Sequence, residues 1–159
     1  MYCSCVANAS RGALSSRGIL GIVALAALVT ACTRHAPTGI RAGSVIHGRL
    51  AASDLRLADD SVADDYNLEL QSGQSVTIVL RGGAMQGRPG SRLDMYAILY
   101  FQNAEVAHDD DSAGNLNSRI LFVAPRAGVY TVRATTYGAG FRAGDYILQV
   151  YAGLAPSGP

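Results

Sequence analysis

From Gly43 onward the chain alternates apolar and polar residues in short runs separated by turn-forming residues, and this period of two is what most restricts its fold. Residues 44–50, 66–70, 76–80, 93–101, 118–123, 130–136 and 146–151 read as strands, with a shorter one at 105–108. Tyr66, Leu68 and Leu70 share one face of their run, and Val76, Ile78 and Leu80 share one face of the next. A hairpin-length turn containing Gly73 joins the two. Residues 93–101 are nearly all apolar, which predicts a central strand covered on both faces. No stretch after Cys32 keeps apolar residues at i, i+3, i+4 and i+7 for three turns, and glycine recurs too often for helices. The expected fold is all-β: a jelly-roll-like antiparallel β-sandwich of about eight strands over residues 44–152, because two facing sheets hide their apolar sides from water.

That sandwich must hold together without disulfides, since the chain has three cysteines and all lie before its first strand. Arg11 and Arg17 precede an uncharged run from Gly18 to Ala31, 14 residues long. A bilayer span needs about 20 residues, whereas a signal peptide's central region needs roughly 7–15 and ends in small side chains. Residues 1–31 are therefore expected to be a leader with a signal helix. The junction Leu28-Val29-Thr30-Ala31-Cys32 resembles the lipobox of bacterial lipoproteins, with Val29 where leucine is usual. Acylation there requires sulfur, because a thiolate is a far better nucleophile than a hydroxyl. Cys32 is thus the expected lipid attachment site and the first residue of the mature chain. Attachment by more than one acyl chain would anchor it stably. Thr33, not aspartate, follows it, so the expected address is the cell envelope at the outer membrane. Cys3 and Cys5 fall in the leader and lack the rest of a four-ligand metal site. Residues 32–43, with Pro37, Gly39 and Gly43, read as a lipidated tether reaching under about 40 Å, and residues 153–159 as a tail.

All 13 basic residues are arginine; 11 of them follow Cys32, against 12 acidic residues. A charge near zero gives no electrostatic ground for a nucleic-acid partner. Catalytic constellations are equally absent from the pattern. His47 and His108 are the only histidines in the expected domain, no Gly-x-Ser-x-Gly or His-Glu-x-x-His occurs, and no catalytic residue is assigned.

Three segments carry binding chemistry. Asp109, Asp110 and Asp111 begin the most charged stretch, and hard cations such as Ca²⁺ require several oxygens. Set against a calcium loop starting at Asp109, Asp111 and Gly114 fall in place, but Ala113 and Ile120 occupy ligand positions. If the strand continues, Asp109 and Asp111 face one way and Asp110 the other. A turn held by side-chain hydrogen bonds is the favoured reading, and no cofactor is expected. Asp59-Asp60 and Asp64-Asp65 read as solvated surface. The glycine-flanked loop with Tyr137, Phe141 and Arg142 presents two aromatics and a guanidinium, either to a ligand or folded back over the end of the core. Tyr96 and Tyr100 share the parity of Asp94 and Ile98, on a face that stacks on a sugar or joins the core. Gly128-Val-Tyr130 and Gly144-Asp-Tyr146 echo one another, each tyrosine expected to point inward with its hydroxyl on backbone.

Taken in order, Gly48-Arg-Leu50, Asp65-Tyr66-Asn-Leu, Ser72-Gly-Gln-Ser-Val76, Leu93-Asp94, Asp109-Asp110, Asn117-Ser118-Arg and the two glycine-x-tyrosine strands resemble the bacterial pre-peptidase C-terminal domain. The resemblance implies a jelly-roll-like sandwich, similar to carbohydrate- and collagen-binding modules, that accompanies secreted peptidases and is itself non-catalytic. It also implies occasional calcium binding, which keeps Asp109, Asp110 and Asp111 as the place a metal would occupy. The expected function is a membrane-anchored lipoprotein with a non-catalytic binding or accessory module, its partner an envelope protein, a peptidase or a polysaccharide. The alternatives are an accessory subunit of a separately encoded secreted peptidase and a purely structural envelope lipoprotein.

Overall fold

The computed structural model describes residues 37–154; the expected leader, Cys32 and residues 155–159 lie outside the described residues. Ten strands form it: β1 (Thr38–Ile40), β2 (Val45–Leu50), β3 (Leu55–Arg56), β4 (Val62–Leu70), β5 (Ser75–Met85), β6 (Met95–Phe101), β7 (Ala104–Asp109), β8 (Ser118–Val123), β9 (Gly128–Thr136) and β10 (Gly144–Ala152). One sheet runs β1-β4-β9-β6-β7, with β3 also on β4; the other runs β2-β10-β5-β8. From β4 to β10 the chain crosses repeatedly between the sheets, so the fold is a two-sheet sandwich as the alternation demands. All eight expected strands are present.

Alternation decides which residues fill the space between the sheets. Leu68 and Leu70 from β4, Ile78 and Leu80 from β5, Leu99 from β6 and Leu148 from β10 are fully buried in one core. Each such side chain contributes about 1.5–3 kcal/mol on leaving water. The core described spans Ile40 to Val150, and residues 35–159 form a compact unit by themselves. A chain beginning at Thr33 therefore carries the whole sandwich.

The tether expected over residues 32–43 is shorter than its composition implies. Thr38–Ile40 pairs in parallel with Tyr66–Leu68 on the free edge of β4, and Ile40 joins the core. Three residues show no usable period; edge hydrogen bonds and one buried isoleucine order them instead. The expectation for residues 93–101 also changes. β6 is second from the sheet edge, so Met95, Ala97 and Leu99 are buried while Tyr96 and Tyr100 on its outer face are half-buried.

The two echoing tyrosines both point inward, but only one hydroxyl meets backbone. Tyr130 donates to the carbonyl of Arg126 at 2.8 Å. Tyr146 instead donates to Asp64 Oδ2 at 2.5 Å and pairs with the Tyr66 hydroxyl at 2.6 Å, linking β10 to β4 across the sandwich. Asp64 shares the inward parity of Tyr66, and an interior carboxylate is tolerated only when hydrogen-bonded. Burial pushes the ionisation of both Tyr146 and Tyr66 upward, so these phenols stay protonated donors. Room for the Tyr146 ring comes from Gly48, its cross-strand partner on β2, where any Cβ would collide with the ring.

Candidate binding surface

The loop expected to carry recognition joins β9 to β10 at the end of the sandwich where β6 and β8 begin. Gly138 and Gly140 have φ of 76° and 96°, a region glycine enters without penalty. Arg142 does not project toward solvent: its Nη1 donates to the carbonyls of Tyr137, Gly138 and Ala139 at 3.2, 2.9 and 3.1 Å. The Tyr137 amide donates to the Asp94 carbonyl at 2.9 Å, and the Gly140 amide to that of Asp59 at 2.9 Å. The loop is thus stapled from inside and tied at both flanks.

Its rings do not cap the core. Tyr137 is 54% exposed and Phe141 46%. Phe141 lines a cavity of about 340 Å³ with Met85 at the end of β5 and with Gln86 and Arg88 from the β5–β6 connection. Tyr137 stands edge-on to Tyr96 at 5.9 Å between centroids, and His108 lies 5.7 Å beyond on β7, bonded to Glu105 at 2.6 Å. Further along the same outer face, Arg133 sits 5.0 Å over the Tyr100 ring and grips Asp65 with two 2.8 Å bonds. Tyr96 and Tyr100 belong to an aromatic outer face of the larger sheet rather than to the core.

The aspartates do not continue the strand. β7 ends at Asp109, whose Oδ2 accepts from the amides of Ser112 and Arg119 at 3.1 and 2.7 Å. These bonds organise the turn that carries Asp110 and Asp111, so the strand parity expected for those two does not apply. Asp94, just before β6, has one buried oxygen without a hydrogen-bond partner. Burial, then Asp111 and Asp110, raise its pKa, with Arg142 opposing. Among the described residues no three histidine, cysteine or acidic side chains gather as a metal site. His47 and His108 stand on opposite outer faces, one on β2 and the other on β7.

One feature escaped the sequence reading. The outer face of the smaller sheet holds a groove of about 590 Å³ walled by His47, Arg49, Arg81, Arg92 and Asp145. Gly48, Gly82 and Gly83 line it without contributing side chains. Parity within each strand places Arg49 and Arg81 outward, but only the register of β2, β10 and β5 brings them together, and Arg92 joins them from the β5–β6 connection by donating to the Gly82 carbonyl.

With this geometry in place, comparison with known proteins is direct. Residues 62–136, from β4 through β9, match the model of the bacterial pre-peptidase C-terminal domain. Over those residues the sandwich is similar to that family. A solved structure, the pre-peptidase C-terminal domain of a collagenase from Bacillus anthracis, superposes with a TM-score of 0.52 at 19% identity, covering 72% of this chain and 94% of that one. No curated protein matches the sequence. The match to that pre-peptidase C-terminal domain concerns the fold alone, and β2 and β10, which wall the arginine groove, lie outside the residues matched to the family model.

The Asp94 environment yields a pH prediction. A carboxyl whose folded pKa lies above its unfolded value of about 3.9 binds more protons when folded, so its contribution to stability falls as pH rises through that window. Asp94→Asn is expected to melt higher than the wild type at pH 7, with the difference shrinking toward pH 3. A variant less stable at pH 7, or a difference independent of pH, contradicts this reading.

Proposed function

We propose that this sandwich is a non-catalytic binding module of the pre-peptidase C-terminal type, exported and held at the cell envelope by lipid on Cys32. What supports the reading most is the β9–β10 loop: a backbone already ordered by its own arginine, carrying two rings that packing leaves largely exposed. Ordering residues costs conformational entropy, and a loop ordered before binding spares its ligand that cost. Exposed aromatics on such a loop are the residues that dominate interfaces. The partner class is an envelope protein or polysaccharide that accepts the Tyr137 and Phe141 rings.

A second reading is the accessory subunit of a separately encoded secreted peptidase. It is favoured by the likeness to a domain of a collagenase.

Both readings begin from the anchor. Intact mass of the protein from its native envelope is expected to show a chain starting at Cys32 and carrying acyl groups. An unmodified Cys32 or a retained leader contradicts the anchor. The binding surface is tested separately with Tyr137→Ala/Phe141→Ala. Because both rings are exposed, melting is expected to fall by less than the about 3–5 kcal/mol typical of buried aromatics, while capture of envelope components drops at least tenfold. Undiminished capture by the folded double variant rejects the loop as the binding surface.

A further inference from the structure

The outer face of the four-stranded sheet is divided by chemistry. Its register sets Leu121, Thr77 and Tyr151 in one row, Arg119, Val79, Gln149 and Val45 in the next, and Arg81, Ile147 and His47 in a third. Arg49 and Asp145 follow, paired at 2.8 Å between side chains that are both more than half exposed. Arg92 reaches the same end of the face from the β5–β6 connection, its Nη2 donating to the Gly82 carbonyl at 2.7 Å. One end therefore carries Arg49, Arg81 and Arg92 around the carboxylate of Asp145. The other end carries Val45, Leu121 and Tyr151, which are 51%, 49% and 39% exposed. The opposite outer face, on the larger sheet, has the reverse balance: Asp65, Glu69 and Glu105 against Arg133.

A guanidinium is a planar fork that matches phosphate oxygens two at a time, and it is only weakly hydrated. Arginines beside exposed aliphatic and tyrosine side chains, over one sheet face, meet the two demands of a lipid surface: anionic headgroups and an apolar boundary just beneath. The tether gives this surface a location. Because β1 begins at Thr38, only Thr33 to Pro37 separate the expected lipid from the fold, a reach under about 18 Å. β1 borders β4, and β2, the edge strand bearing His47 and Arg49, packs against β4 from the other sheet.

We propose that the outer face of the four-stranded sheet docks on an anionic phospholipid surface, with headgroup phosphates in the groove walled by Arg49, Arg81 and Arg92 and with Val45, Leu121 and Tyr151 at the interfacial level. The inference rests on the lipid-anchor reading for its location, not for its chemistry. An anchored domain docked in this way lies flat on the membrane and turns its acidic, aromatic face outward.

The test uses an unlipidated chain beginning at Thr33, sedimented with vesicles of phosphatidylcholine alone or mixed with phosphatidylglycerol. Expected is partition onto the mixed vesicles only, weakening as salt rises, since exposed charges are screened over about 8–10 Å at 0.1–0.15 M. Arg49→Glu/Arg81→Glu/Arg92→Glu is expected to lower that partition at least tenfold with an unchanged melting transition, and Arg126→Glu, outside the face, to leave it unchanged. Arg49→Gln/Arg81→Gln/Arg92→Gln supplies the milder variant should charge reversal impair folding. Equal partition onto both vesicle types, or equal partition of wild type and folded variants, overturns the proposal. So does binding to soluble polyphosphate without binding to vesicles, or a dimer in sedimentation velocity that the same substitutions dissolve. Because the protein here carries no lipid, failure of docking and failure of acylation at Cys32 read out in different experiments.

Discussion

The hydroxyl of Tyr146 is the point on which one side of the sandwich closes. It reaches from β10 across the interior to Asp64 and Tyr66 on β4, so the two sheets are joined there by hydrogen bonds as well as by apolar packing. A polar triad in a core is costly unless satisfied, and satisfied it fixes one arrangement of the sheets over others. The bond requires the ring to lie against the backbone of β2, which only a glycine at position 48 allows. On the same side of the sandwich, β1 adds to the edge of β4 and Ile40 enters the core. Closure of this side thus brings the start of the domain, the edge strand β2 and the arginine groove together.

Each functional surface inherits its form from this frame. The β9–β10 loop is anchored where Tyr137 leaves β9 and where Ala143 and Gly144 enter β10, so its aromatics are carried by rigid strands. The groove exists because β2 and β5 flank β10 in fixed register, with the backbone of Gly48, Gly82 and Gly83 along its lining. Successive residues of a strand face opposite ways, so each outer face carries its own charged residues while the interior residues between them remain apolar. On the proposed reading, function is distributed over surfaces that the core holds in shape.

Much of this was legible in the sequence, and the boundary is physical. Alternation revealed the strands and the inward faces, because a period of two follows from the pleat of each strand alone. Leu68, Leu70, Ile78 and Leu80 lie where their parity puts them. The pairing of Thr38–Ile40 was not legible, since an edge interaction leaves no period in three residues. Nor was the destination of the Tyr146 hydroxyl: Tyr130 and Tyr146 occupy matching local patterns, and only the strand opposite separates a backbone acceptor from Asp64. Arg142 illustrates the same limit. Its sequence position says that a guanidinium sits in the loop, but not that its Nη1 is bonded to the loop's own carbonyls. The arginine groove is assembled from strands far apart in sequence, with register uniting Arg49 and Arg81 and a bond to Gly82 adding Arg92.

The central claim, that the sheets close through Tyr146 packed over Gly48, is tested most directly by a double-mutant cycle in stability. Gly48→Ala alone is expected to cost about 3 kcal/mol, since it displaces the ring and breaks its bonds to Asp64 and Tyr66. In a Tyr146→Ala background the ring is gone, and the same glycine substitution is expected to cost less than about 1 kcal/mol, leaving a coupling of about 2 kcal/mol between the two positions. Additive effects, with Gly48→Ala costing the same whether or not Tyr146 is present, would contradict the account.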